Sequence, residues 1–433
     1  MESDSGPLLT SSPGLPASDR DTPDRRFNAP LSRRAAHALL ALMVVLDVAA
    51  CCWFASARPD RGRGPDEQYS LRNVEHTLRS GELRPINPYY PSLAQLPQIL
   101  ILGASQRLHR MTGVEAFAVL QDQQGVTPTG YRLCRWSVVA FGAGYLLLTF
   151  VVGRRLFSME AALLGVLICM TAPVHIRATS IYKPDAILVL FVLVTFLWSL
   201  AAAKKGTLGS YLLAGLGVGL ASASKQTGAL ASIPLVVATL LGWRQATRWL
   251  WLGAAALTSM LVFFLLNPYP DQFEKLLFST FRTYKGWTAS HGGAKRGHHL
   301  LALTFLPRRL VSPAFLGPVL GAASLLGFGG LCLILYRRRH QRQQAVPLAL
   351  FVSYPVCFVL ITASISDFHR QNVFLSLLPF SSLAAGWLLR ELWQCTGARL
   401  AGWRRRLLFW PALTGLLIML FWTAGAFVFR GVG

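Results

Sequence analysis

The stretch AAHALLALMVVLDVAACCWFASARPDRGRGPDEQYS, residues 35–70, joins a long apolar run to two adjacent carboxylates. A membrane-spanning helix needs about 20 mostly apolar residues, and residues 35–57 meet that requirement. The polar segment that follows leads to Asp66 and Glu67. The stretch therefore predicts a first membrane span whose exit carries an acidic pair.

The composition extends this prediction to the whole chain. Of 433 residues, 53% are hydrophobic and only 14% are charged, and the mean hydropathy is +0.43. A soluble domain cannot cover that much apolar surface. The net charge of +23 comes from short basic clusters between apolar runs, which is typical of membrane topology rather than of nucleic-acid binding. We therefore expect an all-α, polytopic integral membrane protein that contacts membrane lipids and no nucleic acid.

About eleven apolar runs are long enough, or nearly so, to cross a bilayer. Most of the seven cysteines lie inside these runs, where they are expected to be small core residues rather than a disulfide framework. The runs are 35–57, 135–152, 159–176, 184–203, 208–224, 227–243, 248–266, 314–336, 345–363, 372–390 and 407–429.

The pattern of runs divides the chain into three parts. Residues 1–34 are rich in Ser, Pro, Asp and Arg without periodicity, so they are expected to be a disordered cytosolic tail. Residues 35–390 form a transmembrane module with long outer loops at 58–134 and 267–313. Residues 391–433 are expected to be a basic cytosolic loop and a final span. A cleaved signal peptide is not expected, because the first apolar run begins too deep in the chain and is too long.

The short loops predict the orientation. The sequences GRRLF, AAKKG, WRQATRW, YRRRHQR and GWRRRL carry two, two, two, four and three basic residues. The short loops between them carry two, one and one, namely Arg177 with Lys183, Lys225 alone and Arg370 alone, so the first set holds most of the basic residues. By the positive-inside rule the first set is cytosolic. We therefore expect a plasma (inner) membrane protein with a cytosolic N-terminus.

Carboxylates gather on the predicted outer side. Of the 14 acidic residues outside the N-terminal tail, 11 lie there, and seven of these are in the first outer loop. Any chemistry is therefore expected at the extracytoplasmic face. Asp47, inside the first run, is costly in lipid and is expected to face the helix bundle.

The outer loops also have segments typical of interfacial helices. SLRNVEHTLRSGEL places Leu71, Val74 and Leu78 on one stripe, and SLAQLPQILILGASQRLHRM is apolar but too short and interrupted to span. DQFEKLLFSTFRTYKGW in the second outer loop repeats the amphipathic pattern. Helices of this kind could wall a site off from water.

The acidic pair has a functional and a structural interpretation. Adjacent residues point in different directions, so one carboxylate can face inward while the other anchors the loop. Alternatively, both are solvated and compensate the N-terminus of the helix EQYSLRNVEHTL.

Other polar groups at the predicted outer surface also have both a functional and a structural interpretation. Asp185, beside Lys183 and near Arg177, either balances the N-terminal dipole of a span or takes part in chemistry. Lys225, in a turn between two short runs, either snorkels to the interface or holds an anionic ligand. Arg370, at the start of a span, is either an interfacial anchor or a phosphate ligand, because its guanidinium fork suits phosphate.

The second outer loop contains SHGGAKRGHH, with His291, His298 and His299. Metal binding there is conceivable, but no cysteine or carboxylate stands at ligand spacing. A flexible loop that gates a site or contacts an acceptor is the favoured interpretation.

The order of these stretches resembles the GT-C class of membrane glycosyltransferases. The likeness is to the branch of dolichyl-phosphate-mannose protein mannosyltransferases, aminoarabinose lipid A transferases and their bacterial relatives. GPDEQY resembles the Asp-Glu motif of that branch, and NPYYPSL its Tyr-Pro-Pro-like segment, with Ser92 in place of the second proline. Three later stretches also resemble it: RATSIYKPDAILVLFVLVTF, LAGLGVGLASASKQTGAL and HRQNVFLSLLPF. Together they cover roughly residues 35–390.

The resemblance implies a GT-C-like transmembrane module that transfers a sugar from a polyprenyl-phosphate donor to an acceptor hydroxyl on the outer face, usually with inversion. The acceptor would be a glycan, a lipid or a protein. The Ala, Arg and Gly richness fits a high-GC bacterium, whose carrier would be undecaprenyl phosphate.

The resemblance also assigns the catalytic pair and the donor ligands. Asp66 would be the general base that takes the proton of the acceptor, and Glu67 would support or orient it. Lys225 and Arg370 are the first candidates for gripping the donor phosphate.

Further roles rest on the same resemblance. Arg177 and Lys183 are additional candidates for the donor phosphate. Asp185, Tyr89 and Tyr90 would position the acceptor or the sugar. No cofactor is required, but a divalent metal ion is an open option, and Asp66 and Asp185 would hold it.

Two other classes of function remain open. A lipid or glycolipid transporter or flippase predicts charged residues in the middle of several spans and helices broken at the midplane. The sequence places Asp47 as almost the only mid-span charge. A non-catalytic scaffold protein is the third class.

Overall fold

The computed structural model describes residues 32–56, 65–86, 91–121, 125–242, 244–269, 307–365 apart from residue 309, and 371–397. Within these ranges the chain is helical, with one isolated β-bridge between Leu120 and Val126. The helices are α1 (Arg33–Ser56), α2 (Pro65–Ser80), α3 (Leu96–Thr112), α4 (Pro128–Leu156), α5 (Met159–Thr171), α6 (Pro173–Thr179), α7 (Asp185–Lys205), α8 (Leu208–Ser224), α9 (Ile233–Leu241), α10 (Ala246–Leu266), α11 (Gly317–Arg337), α12 (Arg342–Ile365) and α13 (Leu378–Gly397). Short 3-10 turns lie at Ser92–Ala94, Glu115–Phe117, Gln226–Ser232 and Gln371–Leu377.

The described helices confirm the all-α, polytopic class. Six of them, α1, α4, α7, α10, α11 and α12, are long and apolar enough to cross a membrane, and the bent pair α5–α6 gives a seventh crossing if it counts as one span. The predicted run 208–224 is the short helix α8, and the run 227–243 is a 3-10 turn followed by α9. The run 407–429 lies outside the described residues. The number of spans therefore stays a prediction.

The predicted run 159–176 is a broken helix. α5 ends at Thr171 and α6 begins at Pro173, with a bend of 64° between them. Proline has no backbone N–H to donate and clashes with the preceding turn, which favours a kink or a break at this position. The break places the seven-residue α6 against α4 and α1.

Two segments predicted to be interfacial helices in the first outer loop are helical. α2 buries Leu71 and Val74 and packs Leu78 against the core, which is the predicted stripe. α3 is 17 residues long and ends at Gly113, whose φ of 69° closes the helix in the left-handed conformation that glycine adopts without strain. The predicted helix DQFEKLLFSTFRTYKGW lies outside the described residues.

The lipid-facing surface is apolar where a soluble protein would be polar. α10 exposes Leu250, Leu257 and Leu265 along one side, which a membrane solvates and water does not. Its opposite side packs on α8. The two helices approach closely because α8 presents glycine to α10, and a Cβ at Gly215 would overlap the carbonyl oxygen of Ala255.

We expect Gly215→Ala to destabilise the fold by roughly 1–3 kcal/mol, because the added methyl group overpacks the α8–α10 contact. The matched control is Gly209→Ala on the same helix, where a Cβ meets no atom within 4 Å. Because alanine has the higher helix propensity, the control is expected to gain up to about 1 kcal/mol. Thermal unfolding in detergent would check this, and equal melting temperatures for both variants would contradict it.

Candidate functional site

A buried ion pair joins α2 to α4. Glu67, two residues after Pro65, accepts two hydrogen bonds from one edge of the Arg135 guanidinium, with Nε–Oε1 at 2.8 Å and Nη2–Oε2 at 3.0 Å. Both side chains are fully buried. The two-pronged geometry is the strong form of an arginine–carboxylate contact. It fixes the first turn of α2 relative to the bundle.

The same ion pair reaches two more segments. Arg135 Nη1 donates to the carbonyl oxygen of Ala55 at 3.1 Å, which is one of the last-turn carbonyls of α1 that has no partner within its own helix. Glu67 Oε1 also accepts from the backbone N–H of Tyr182 at 3.0 Å. The exit of the first span, the start of α2, the outer part of α4 and the α6–α7 connection therefore meet at one charged contact.

Asp66 stands directly before the anchored Glu67. Its backbone lies in the first turn of α2, where the N-terminal end of the helix dipole favours a carboxylate. Its side chain lies outside the described part of the structure, so its role as a base stays a prediction. Because Glu67 is held from three sides, the backbone of its neighbour is fixed as well.

A second charged contact lies at the start of α7. Asp185 is buried at the helix N-terminus, and its Oδ1 accepts from Lys225 Nζ at 2.6 Å. The lysine side chain is 16% exposed and the aspartate 2%. Lys225 comes from the turn that ends α8, where its φ of −159° places it in an extended conformation. The structure therefore brings two of the predicted site residues together as an ion pair.

The C-terminal end of the predicted Tyr-Pro-Pro-like motif, with the residue that follows it, closes over this end of the bundle. The Tyr182 hydroxyl donates to the carbonyl oxygen of Ala94 at 3.3 Å, and burial raises the pKa of Tyr182 well above its ordinary value, so the phenol keeps its proton. The Ser92 N–H donates to Asn267 Oδ1 at 2.9 Å. Both contacts bring the turn Ser92–Ala94 over the outer ends of α7 and α10.

The remaining predicted site residues divide into two groups. Arg177 is exposed on α6, and Lys183 is half-buried in the α6–α7 connection, so both lie near Asp185 in sequence. Tyr89, Tyr90 and Arg370 lie outside the described residues. Their roles stay predictions.

A third polar cluster lies deeper in the bundle. Asp47 faces the interior, as predicted, and its Oδ1 lies 2.8 Å from His175 Nε2. Cys51 Sγ lies 3.7 Å from the same oxygen and 3.2 Å from Thr179 Oγ1. The ligand atoms of Asp47, Cys51 and His175 all lie within 4.8 Å of one another, so these side chains could hold a metal ion. The metal role predicted for Asp66 and Asp185 stays a prediction.

Sequence reasoning missed Arg135 and His175. Arg135 stands at the first position of a predicted span and has the pattern of an interfacial anchor, so nothing local points to Glu67 on another helix. His175 lies near the end of the predicted run 159–176. An ionisable residue within a span is a functional hypothesis by default, and pairing it with Asp47 could have revealed the cluster.

Comparisons with known proteins place this geometry in a class. The sequence model of the dolichyl-phosphate-mannose-protein mannosyltransferase family matches residues 130–268. Two structures of ArnT from Cupriavidus metallidurans are similar over most of this chain. The apo structure has a TM-score of 0.54, 18% identity and coverage of 84% of this chain; the structure bound to undecaprenyl phosphate has 0.53, 17% and 82%. The chain has the GT-C fold.

A more distant protein has the same GT-C fold. The Archaeoglobus fulgidus oligosaccharyltransferase AglB, in complex with an inhibitory peptide and a dolichol-phosphate, has a TM-score of 0.56 and 13% identity over 92% of this chain. This chain covers 62% and 61% of the two ArnT chains and 56% of the AglB chain, which is less than two thirds of each. No curated protein matches the sequence. The resemblance to the GT-C class inferred from the motifs is confirmed.

We expect Glu67→Gln to lower the free energy of unfolding by roughly 3–5 kcal/mol, because it leaves the buried Arg135 charge without its counter-ion. The double variant Glu67→Leu/Arg135→Met should lose less stability than the sum of the losses in Glu67→Leu and Arg135→Met, since it removes both charges at once. Glu391→Gln, at the exposed end of α13, is the control and should change stability little. Additive losses in a thermal-unfolding cycle would contradict a direct charge contact.

Proposed function

We propose that this protein is a membrane glycosyltransferase that moves a sugar from a polyprenyl-phosphate carrier to an acceptor hydroxyl on the extracytoplasmic side. The observation that carries the proposal is the hydrogen bond from the backbone N–H of Tyr182, three residues before Asp185, to Glu67 of the Asp-Glu motif, on a GT-C fold in which Asp185 also pairs with Lys225. The family match and the lipid phosphates named in the similar structures support the same class.

The proposed reaction assigns the base to Asp66. Its carboxylate takes the proton of the acceptor hydroxyl as the acceptor oxygen forms a bond to the anomeric carbon. The bond from that carbon to the carrier phosphate breaks, and the phosphate leaves with the electron pair, giving inversion. A carboxylate is a weak base, but the proton is lost only as the phosphate departs. Glu67 and Arg135 position Asp66 by fixing the turn that carries it.

The proposed donor site centres on Lys225. Because the leaving group is already a phosphate, the reaction needs charge stabilisation more than it needs an acid. Lys225 donates from the outer end of the bundle, and Asp185 holds it there at 2.6 Å. Arg370, Arg177 and Lys183 are further candidates for the phosphate. Asp185, Tyr89 and Tyr90 would position the sugar or the acceptor, and a divalent ion would use Asp66 and Asp185.

The partners follow from the same proposal. The donor is a polyprenyl-phosphate sugar, with undecaprenyl phosphate as the carrier in a bacterial inner membrane. The acceptor is a glycan, a lipid or a protein, and it enters from the side opposite to the cytosolic N-terminus.

We expect Asp66→Asn to lower transfer by roughly 10²–10⁴-fold, the range typical of a lost general base. The assay offers reconstituted protein a panel of polyprenyl-phosphate sugars and measures the release of carrier phosphate. Glu82→Gln, an exposed acid of the same outer loop, is the control and should release the carrier as the wild type does. Equal release by Asp66→Asn and wild type, with equal melting temperatures, would remove Asp66 as the base.

We expect Lys225→Gln to weaken binding of the carrier phosphate by roughly ten- to hundred-fold, since a hydrogen bond from a charged donor contributes about 1.5–3 kcal/mol. Asp185→Asn keeps the lysine, so it should retain carrier binding while slowing transfer. Lys204→Met, on the exposed opposite end of α7, is the matched control. Binding of polyprenyl phosphate to protein in nanodiscs is the measurement, and unchanged binding by Lys225→Gln would contradict the assignment.

A transporter or flippase is the second candidate, and two observations favour it. α5–α6 is a broken span, and Asp47 with His175 forms an intramembrane pair, both of which transporters use. Saturable lipid-phosphate binding without release of carrier phosphate from any donor would favour the transporter or flippase over the glycosyltransferase.

A further inference from the structure

The deep polar cluster has the side chains of a metal site. Asp47 and Cys51 are four residues apart on α1, so they lie on one face of that helix. His175 comes from α6 and faces them. All three are buried, and their ligand atoms lie within 4.8 Å of one another. Carboxylate, thiolate and imidazole are the three ligand types that zinc takes in proteins.

The cluster leaves one oxygen without a partner. Asp47 Oδ2 is buried and accepts no hydrogen bond from the described residues. Asp47 lies eight residues before Ala55 on α1, which is about 12 Å below the Glu67–Arg135 contact along the helix axis. A carboxylate at that depth is costly unless its charge is balanced and its oxygens are satisfied. The open oxygen therefore points to a ligand.

The histidine is already oriented as a metal ligand would be. His175 Nδ1 contacts the hydroxyl of the buried Tyr145, which leaves Nε2 turned toward Asp47. A metal-binding histidine almost always uses its second nitrogen in such a hydrogen bond, because the contact fixes the ring and the tautomer. Tyr145 therefore orients the ring and does not itself bind the metal.

We propose that Asp47, Cys51 and His175 bind one zinc-class divalent cation that fastens the first span to the broken span. Binding displaces the thiol proton of Cys51 and any proton shared between Asp47 and His175. The cation then neutralises one carboxylate and one thiolate, so the cluster carries no net charge inside the membrane. This inference goes beyond the proposed transferase reaction and does not rest on it.

The distances fit this cation after a small movement. Tetrahedral zinc with bonds of about 2.0–2.3 Å places its oxygen and nitrogen ligands about 3.3 Å apart and its sulfur and oxygen ligands about 3.6 Å apart. Cys51 Sγ and Asp47 Oδ1 are 3.7 Å apart, close to that value. Asp47 Oδ1 and His175 Nε2 are 2.8 Å apart, so they must separate by about half an ångström. The hydroxyl of Thr179, 3.2 Å from Sγ, can donate to the thiolate.

The first test is metal content. Full-length protein, purified in detergent through a tag that binds no metal and washed with a chelator, is analysed for zinc by mass spectrometry. We expect about one zinc per chain in the wild type and a loss of at least tenfold in Cys51→Ser and in Asp47→Asn. Both substitutions keep a hydrogen-bonding group of similar size, so the variants should elute as folded protein. Zinc retained by Cys51→Ser, or absent from folded wild type, would overturn the proposal.

Two controls separate this site from other zinc ligands. Cys52→Ser changes the neighbouring, half-buried cysteine of the same helix and should keep the zinc. His298→Ala/His299→Ala removes the histidine pair of the second outer loop and should keep it as well. Zinc lost only from the loop variant would assign the metal to that loop.

Cobalt gives a second readout that does not depend on activity. Co²⁺ bound at Cys51 should produce a thiolate-to-metal charge-transfer band in the near ultraviolet and visible bands typical of tetrahedral coordination. Cys51→Ser should lack the charge-transfer band, whereas Cys52→Ser should keep it. An identical charge-transfer band in both variants would contradict the assignment of the thiolate to Cys51.

Discussion

The buried contact between Glu67 and Arg135 is the constraint on which the end of the bundle that carries the candidate site depends. It joins a carboxylate and a guanidinium that the sequence separates by 68 positions, and it also satisfies the end of α1 and the α6–α7 connection. A charge pair stabilises little by itself once desolvation is counted. Its effect here is to hold the start of α2, which follows the first span, in one position relative to α4. The segment that bears Asp66 is therefore held by the interior of the bundle rather than by its own loop.

The fold was predictable where the physical signal is local. Apolar length predicts a span because the bilayer requires it, and the runs that become α1, α7 and α10 were located within two residues, whereas α4 begins seven residues before its predicted run. The stripe of Leu71, Val74 and Leu78 predicted α2 for the same reason. Pro173 made a break possible, since proline kinks or breaks a helix interior, but it did not require one, because α12 continues through Pro347 and Pro355. Hydropathy is averaged over a run, however, so the apolar residues of α5 and α6 were predicted to form one continuous span.

The site was less predictable because it is made of contacts between distant residues. Asp185 and Lys225 were each singled out, but their pairing at 2.6 Å depends on how α7 packs on α8. Asp47 was expected to face the bundle, but which side chains it meets there, His175 and Cys51, depends on how α6 packs against α1. Arg135 gave no signal beyond its position at the end of a span. The order of the motifs predicted the GT-C class, whereas the contact partners of each site residue depend on how the helices pack.

The contact between Lys225 and Asp185 has a consequence for selectivity. A lysine whose charge is already matched contributes little to the long-range field, so it attracts passing anions weakly. An anion reaches the ammonium only by exchange with the carboxylate, and the carboxylate it displaces remains close by as a repelling charge. Such a position rejects chloride and other small mobile anions, and it accepts an anion that brings binding energy of its own. In the proposed reaction, the isoprenoid chain of the donor, embedded in the bilayer, would supply that energy.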